Sequence, residues 1–511
     1  MEDMFIKIAM LVVFFGVMIG VGVYCRKNST DVNGFVLGGR SVGPWLTAFA
    51  YGTSYFSAVV FVGYAGQFGW KYGIAATWAG IGNAILGSLL AWAVLGRRTR
   101  VMSQHLNSAT MPQFFENRFN SKKLKLAASV VIFVFLIPYT ASLYNGLSRL
   151  FGMAFDIDYS VCVIAMAVLT AIYVIAGGYM ATAINDFIQG IIMIAGIIAV
   201  LVAVLNGKGG LMEAVESLSQ VSDAENPAGS FSSLFGPAPM GLLGVVLLTS
   251  LGTWGLPQMV QKFYAIKSEK AITKGMIIST IFALVVAGGC YFLGGFGRLF
   301  TTQAAVDAGG YDSIIPTMLS DLSPVLIGVV VVLVLSASMS TLSSLVLASS
   351  STLTLDFIKG SVVKDLSEKK QVLIMRVLIA VFIAISVVIA ILQYKSNVTF
   401  IAQLMGVSWG ALAGAFLAPF LYGLYWKRAT AASGWACMIF SSVVMIANIF
   451  WGKAPFWPQI ISSPINAGAF CMLAGLIIVP VVSLLSKPPK KEYVEQVFSC
   501  YDKKSDQKTA K

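Results

Sequence analysis

The residues with the clearest chemical potential are the hydroxyl side chains of SASMSTLSSLVLASSST, residues 336–352, which follow the apolar run VLIGVVVVLVL. Four positions are spaced i, i+3, i+4 and i+7 and therefore share one face of a helix. They are Ala337, Ser340, Thr341 and Ser344. Because oxygen ligands suit hard cations, two neighbouring hydroxyls and a few free carbonyls would form an uncharged cage for Na⁺. Close helix packing, with hydroxyls bonded back to their own carbonyls, is the alternative.

Free carbonyls require an interrupted helix, and two apolar segments carry such interruptions. They are AFAYGTSYFSAVVFVG, residues 48–63, and LLTSLGTWGLPQMVQKF, residues 247–263. Backbone freed in mid-membrane is tolerated only where it lines a cavity or binds an ion. Two breaks five spans apart are the pattern of two inverted five-helix repeats. Two independent Gly/Pro kinks in ordinary helices are the alternative.

Carboxylates within the apolar segments are scarce. Asp186 lies about one turn into the sixth apolar span, in GGYMATAINDFIQGIIMIAG, and Asp321 lies just before the ninth. Burying a carboxylate in a membrane costs several kcal/mol unless a cation or hydrogen-bond donors compensate it. Asp186 is therefore a candidate cation ligand. Alternatively, it caps a helix or stays in interfacial water.

The elements that must position these residues are membrane helices. The chain is 57% hydrophobic and only 11% charged, whereas soluble domains carry about 25% charged residues. Runs of about 20 apolar residues, enough to cross a bilayer, recur throughout. The sequence therefore predicts an all-α polytopic membrane protein with about thirteen spans. They lie near residues 5–25, 44–66, 73–96, 126–150, 158–177, 183–206, 238–262, 275–298, 324–350, 372–393, 398–425, 431–451 and 464–486.

These spans predict a division of the chain into six parts. They are a first helix and inner loop at 1–42, a first repeat of helices 2–6 at 43–206, an extracellular loop at 207–237, a second repeat of helices 7–11 at 238–428, helices 12–13 at 429–486, and a flexible cytoplasmic tail at 487–511.

The charge distribution predicts an extracellular N-terminus and a cytoplasmic C-terminus, and we expect the protein to lie in the plasma membrane. Most of the 35 Lys and Arg residues fall in segments that this topology places inside, such as GRRTR, SKKLK and SKPPKK, as the positive-inside rule requires. The net charge of +13 therefore needs no nucleic-acid partner. The opening MEDMFIKIAMLVVFFG lacks a small-residue cleavage site after its apolar run, so we interpret it as a retained helix, not a signal peptide.

Enzyme chemistry has little support in the sequence. His105 is the single histidine, the six cysteines form no close pairs, and no Ser/His or paired-Asp arrangement stands at a recognisable spacing. We therefore expect no catalytic residues, no disulfides, no organic cofactor and no metal other than Na⁺.

Several motifs together resemble the sodium:solute symporter family, most closely its bacterial sodium/proline permease branch. They cover most of the chain and are FVLGGRSVGPWLTAFAYGTSYFS, MPQFFENRF, IAGGYMATAINDFIQ, GLPQMVQKFYAI and SASMSTLSS. The resemblance implies a fold of the leucine-transporter type, in which helices 2–11 form the inverted repeats, preceded by one helix and followed by two. It also implies one or two sodium ions.

The resemblance also implies which atoms bind those ions. The main sodium site would use the carbonyls of Thr53, Phe56 and Ala337 and the hydroxyls of Ser340 and Thr341. A second sodium site, present in some members, would use Asp186, Ser340, Ser343 and Ser344.

The substrate pocket departs from the proline permeases. Where they carry an aspartate in the broken second span, this chain has Tyr55, and its seventh span reads TWGLP. Exposed amides at a helix break would suit a substrate carboxylate. Candidate pocket residues, each of which could instead serve helix packing, are Tyr55, Ser57, Tyr139, Thr253, Trp254 and Gln258.

The resulting prediction is a sodium-coupled symporter that imports a small organic solute, most readily proline or another small amino acid. A monocarboxylate or pantothenate symporter and a proton-coupled transporter of the same fold are alternatives. An ion channel, a sensor and an intramembrane enzyme are the rivals from other classes. The sequence leaves the oligomeric state open.

Overall fold

The computed structural model describes residues 2–155, 158–363, 365–396 and 401–502, and these residues are almost wholly helical. Within these ranges the only β-type pairing is two isolated bridges. Ten helices are long and apolar enough to cross a membrane, or eleven when one pair bent by 47° is counted as a single span. The predicted all-α membrane architecture is therefore confirmed.

The main helices are named here in chain order. They are α1 Glu2–Cys25, α2 Pro44–Tyr55, α3 Val59–His105, α4 Lys122–Phe155, α5 Tyr159–Asn206, α6 Pro239–Gly255, α7 Pro257–Ala265, α8 Glu269–Leu299, α9 Pro324–Ile358, α10 Glu368–Leu392, α11 Ile401–Tyr425, α12 Ala431–Trp451, α13 Pro464–Leu485 and α14 Lys491–Phe498.

Two helices are too long for one crossing, which takes about 20 residues. The helix α3 has 47 residues and α5 has 48. Each contains a glycine with positive φ, Gly73 at +62° and Gly178 at +58°, a conformation that side chains rarely adopt. A Cβ on Gly178 would also lie 2.9 Å from the backbone oxygen of Phe35. The count of thirteen spans depends on dividing α3 and α5 at these glycines and stays a prediction.

The helix that carries the hydroxyl run lies at the centre of the protein. Every residue of α9 from Val330 to Thr352 is buried, and α11 is buried along nearly its whole length. Helices α1, α10, α12 and α13 instead expose valine, isoleucine and leucine side chains. The hydroxyls of α9 therefore face protein and not lipid, as expected for polar groups at membrane depth.

The predicted boundaries hold closely in the last third of the chain. The twelfth span matches α12, and the thirteenth differs from α13 by one residue. Residues 398–400, the predicted start of the eleventh span, and residues 503–511 of the predicted tail lie outside the described residues.

The expectation of a flexible tail is wrong for its first part. Residues 491–498 form α14, whose Val494, Val497 and Phe498 are buried. The hydroxyl of Tyr501 donates to the carbonyl of Arg98 at 3.1 Å, and the Arg98 guanidinium lies 4.5 Å from the Tyr501 ring centroid. This amphipathic segment thus packs against the rest of the protein, because its apolar face finds aromatic and basic partners there.

Candidate functional site

The first break lies between α2 and α3. Pro44 occupies the first turn of α2, where a proline is favourable, and the helix ends at Tyr55 because Phe56 is extended, with φ −89° and ψ 115°. Ser57 caps the next helix, since its side chain accepts from the Val59 amide at 3.2 Å. The last carbonyls of α2 are consequently left without partners from their own helix.

A glycine on α4 allows that helix to pack directly against the break. A Cβ on Gly146 would lie 3.0 Å from the Cβ of Ala58 and 3.1 Å from its carbonyl oxygen. Any larger residue at this position must displace one of the two helices. The position of the break is therefore set by backbone packing as well as by its own sequence.

The hydroxyl face of α9 meets the broken end of α2. The hydroxyl of Thr341 lies 3.0 Å from the carbonyl oxygen of Thr53 and 3.3 Å from that of Phe56. The Ser340 hydroxyl lies 3.2 Å from the Thr53 carbonyl. Both hydroxyls also lie 3.1 Å from the Ala337 carbonyl oxygen. The structure thus brings together all five predicted ligands of the main sodium site.

This cluster contains more acceptors than donors. Three carbonyls and two hydroxyls supply five oxygens, and each hydroxyl has only one proton to donate. The residues that contribute them are all fully buried and uncharged. A small cation would satisfy oxygen lone pairs that two protons cannot, which is the chemistry expected of a sodium site.

One turn further along α9, the surroundings become charged. The Ser344 hydroxyl lies 2.9 Å from the Ser54 hydroxyl and accepts from the ammonium of Lys262 at 3.0 Å. The same ammonium is 3.8 Å from a carboxylate oxygen of Asp186 and 5.1 Å from the ring centroid of Tyr179. Asp186 is therefore buried in an ion pair and does not lie in interfacial water.

The four residues predicted for a second sodium site do not all lie in one cluster. Asp186 and Ser344 both contact Lys262, whereas the Ser340 hydroxyl belongs to the oxygen cluster described above. The Ser343 hydroxyl donates to the Ser340 carbonyl of its own helix at 2.9 Å. Asp321, the other carboxylate noted in the sequence, is exposed.

Sequence reasoning missed Lys262. It lies at the last position of the predicted seventh span, where a lysine is normally interpreted as an ordinary cytoplasmic charge. One feature of the sequence could have identified it. Lys262 lies five residues after the Leu-Pro break, on a half-helix that could point into the protein. The residue is in fact 1% exposed.

The second break separates α6 from α7. Leu256 is extended, with φ −78° and ψ 125°, and Pro257 begins α7. Glycines bring α6 close to α11: a Cβ on Gly252 would lie 2.3 Å from the ring of Trp409, and one on Gly255 would lie 2.8 Å from the Ala413 Cα. Both predicted helix breaks are thus present in the structure.

Apart from Ser57, whose hydroxyl caps α3, the predicted substrate residues fall into two groups. Tyr55, Tyr139 and Gln258 are buried, and their side-chain polar atoms have no hydrogen-bond partner within the described part of the chain. In contrast, Thr253 donates to the Gly87 carbonyl at 2.9 Å, and the Trp254 indole donates to the Leu86 carbonyl at 2.8 Å. The polar atoms of this second pair are engaged in helix packing.

Other unsatisfied polar groups accompany the first group. Tyr139 packs edge-on against Trp409, with ring centroids 6.0 Å apart, and the indole N–H of Trp409 likewise finds no acceptor among the described residues. Buried polar atoms normally have partners. Further side chains with such atoms, which sequence reasoning did not single out, include Tyr64, Gln67, Tyr144 and Tyr291.

Comparison with known proteins places the chain among transporters. The model of the sodium:solute symporter family matches residues 35–441. Sodium/proline symporters of Staphylococcus aureus strains JH9 and NCTC 8325 / PS 47 are 31% identical over 497 residues, 94% of this chain and 92% of theirs.

Solved structures share the fold. A Na⁺-coupled sialic acid symporter in a substrate-bound outward-open state gives a TM-score of 0.71 at 18% identity, covering 95% of this chain and 99% of its own. Mhp1, a nucleobase-cation-symport-1 family transporter in a closed conformation, gives 0.51 at 15% identity, covering 90% and 97%. With the matched relatives, these findings identify a transporter and not an enzyme. The chain belongs to the sodium:solute symporter family.

Proposed function

We propose that this sodium-coupled symporter imports proline or another small amino acid by alternating access. The relatives named as sodium/proline symporters align with it along almost their whole length. A monocarboxylate and pantothenate remain the alternative solutes on the same scaffold, because Tyr55 and the TWGLP segment differ from the proline permeases.

The main sodium ion binds to the carbonyls of Thr53, Phe56 and Ala337 and the hydroxyls of Ser340 and Thr341. The observation that carries this proposal is the meeting of the two α9 hydroxyls with the carbonyls at the end of α2, within 3.0–3.3 Å. Sodium is cargo here, so the site must bind it reversibly. An uncharged cage favours this, since no fixed anion holds the ion.

The solute binds among the buried polar groups near the two breaks. Tyr55, Tyr139 and Gln258 have side-chain polar atoms available for a ligand, and Ser57 lies within the first break. Thr253 and Trp254 are weaker candidates for solute binding, because their side-chain polar atoms already bond to α3 carbonyls. A solute carboxylate would find the backbone amides at the start of a half-helix.

The transport cycle couples the two ligands through α9. Sodium entering from outside holds α9 against the end of α2 and prepares the outward-open site for solute; binding is reciprocal, so solute must also tighten sodium binding. One charge moved through about 100 mV yields about 2.3 kcal/mol, and a tenfold sodium gradient adds about 1.4. Together these accumulate a neutral or zwitterionic solute by about a few hundredfold.

The proposed topology places thirteen spans in the plasma membrane, with the N-terminus outside and the C-terminus in the cytoplasm. It requires α5 to cross twice, turning at Gly178. It also requires α3 to turn at Gly73, so that its first part completes the span begun by α2 and its second part forms the next span. Helices 2–11 would then form two inverted repeats, with the breaks after Tyr55 and Gly255 at equivalent positions.

Uptake by the purified protein in liposomes tests this function. With an inward sodium gradient, labelled proline should accumulate, and replacing sodium with potassium should abolish accumulation. Competition by unlabelled monocarboxylates and pantothenate would identify the alternative solutes. Uptake that persists without sodium and follows a pH gradient would indicate proton coupling instead, and ion flux without any solute would indicate a channel.

A further inference from the structure

Lys262 occupies an unusual position for a lysine. It lies on the half-helix α7, is 1% exposed, and places its ammonium against two other helices. The contacts are 3.0 Å to the Ser344 hydroxyl on α9 and 3.8 Å to the Asp186 carboxylate on α5. Both carboxylate oxygens of Asp186 lack a hydrogen-bond partner within the described part of the chain. The ammonium is therefore the nearest charge that compensates this carboxylate.

This ammonium lies where a second sodium ion would have to bind. A sodium ion held by Asp186 and Ser344 needs the space between a carboxylate oxygen and a hydroxyl oxygen, and the Lys262 nitrogen already contacts both. An ammonium group and Na⁺ carry the same charge, and both favour oxygen partners. The lysine, however, is covalently attached and cannot leave with the solute.

Charge makes the two cations mutually exclusive. Lys262 and Asp186 together are neutral, so an added sodium ion would leave an uncompensated positive charge. The carboxylate attracts an added sodium ion, but the ammonium at about the same distance repels it by a comparable amount, so the neutral pair offers the ion little net electrostatic attraction. With Lys262 in place, Asp186 therefore no longer supplies the attraction that would repay the dehydration of a second sodium ion.

We propose that the ammonium of Lys262 is the resident cation of the second site, so that this transporter moves one sodium ion with each solute molecule. The proposal rests on the function proposed above and specifies its coupling. Through Ser344 and its neighbour Ser54, 2.9 Å away, the fixed cation ties α9 to α2 beside the main sodium site. It thereby supplies a contact between these helices that does not depend on sodium.

The first test counts sodium ions on the unmodified protein. Equilibrium binding of radioactive sodium to purified protein should reveal one site per chain. The flux ratio of sodium to solute in liposomes should likewise be one to one. Two bound ions, or two ions moved per solute, would overturn the proposal, and this count needs no variant to fold.

The second test removes the resident cation. Lys262→Ala leaves Asp186 without its partner and opens space beside Ser344, so the variant should bind a second sodium ion. The double variant Lys262→Ala with Asp186→Asn should return to one. Lys274→Gln is the matched control, because it removes an exposed lysine from the next helix and should leave the count at one. A single bound sodium in Lys262→Ala would contradict the proposal.

The two proposals fail in different ways. If the unmodified protein binds no sodium and takes up no solute in a sodium-dependent manner, the proposed function is wrong. If sodium-dependent uptake is present but two ions accompany each solute, only the role of Lys262 is wrong.

Discussion

Two neighbouring positions on α9, one turn apart, meet very different surroundings. Ser340 and Thr341 face backbone carbonyls at the end of α2, and every contributing group is uncharged. Ser344 faces the buried ion pair of Lys262 and Asp186. The difference separates the proposed site of an exchangeable sodium ion, an uncharged cage of oxygens, from the position of a permanent cation that the chain itself supplies.

The largest expected effect is on stability and comes from removing one charge of the buried ion pair. Asp186→Asn or Lys262→Met alone leaves a buried charge unpaired and should lower the free energy of unfolding by about 3–5 kcal/mol. The double variant removes both charges and should recover most of that loss. Thermal unfolding of the detergent-solubilised protein measures this cycle. Additive losses in the double variant would show that the two groups are not coupled.

The next effect concerns the neutral cage. Thr341→Val keeps the shape of the side chain but removes its oxygen, and should raise the sodium concentration for half-maximal uptake about 10- to 100-fold, equivalent to about 1.4–2.8 kcal/mol. Thr341→Ser keeps the oxygen and should stay close to the wild-type value. Ser351→Ala is the control, since among the described residues that hydroxyl bonds only within α9, to the Leu347 and Ala348 carbonyls. If Thr341→Val and Ser351→Ala change the half-maximal sodium concentration equally, the hydroxyl run serves helix packing and not sodium binding.

A smaller effect should follow from a substitution that displaces the first helix break but changes none of the proposed sodium ligands. Gly146→Ala places a methyl group 3.0 Å from Ala58 and should raise the half-maximal sodium concentration about three- to tenfold through displaced carbonyls. Gly152→Ala on the same helix, where a Cβ meets nothing within 4 Å, is the matched control. Uptake kinetics over a sodium series compare the two, and identical curves would show that α4 does not position the cage.

The smallest effect on sodium dependence comes from a position far from α9. Tyr501→Phe loses the hydrogen bond to the Arg98 carbonyl but keeps the ring beside its guanidinium, and should cost about 1 kcal/mol of stability. Its sodium dependence should match the wild type, because this hydrogen bond joins residues that are not among the proposed sodium ligands. A shift in sodium dependence as large as that of Thr341→Val would show that the coupling extends beyond α9.

Much of this architecture could be predicted from the sequence. Apolar runs and their Gly, Ser and Pro interruptions located the membrane helices and both breaks, because membrane backbone must satisfy its own hydrogen bonds. Helical spacing grouped Ala337, Ser340 and Thr341 on one face, and the family resemblance supplied Thr53 and Phe56. Local pattern sufficed for the hydroxyl face because the spacing of its residues follows from helix geometry.

The remainder depends on how distant helices meet. Periodicity could not show that Thr253 and Trp254 bond to α3, or that Lys262 turns inward to Asp186, because these contacts join helices far apart in the sequence. The bend at Leu256 redirects α7, and a charge at a predicted span end then becomes a buried one. The helix in the C-terminal tail was not predicted for the same reason, since the tail bonds to the distant carbonyls of Arg98 and Asn117.

The most direct measurement is equilibrium binding of radioactive sodium to the purified wild-type protein and to Thr341→Val at matched protein concentration. The neutral cage predicts one sodium ion on the wild type and much weaker binding to the variant, with Ser351→Ala unchanged. Wild-type sodium affinity in Thr341→Val would contradict it.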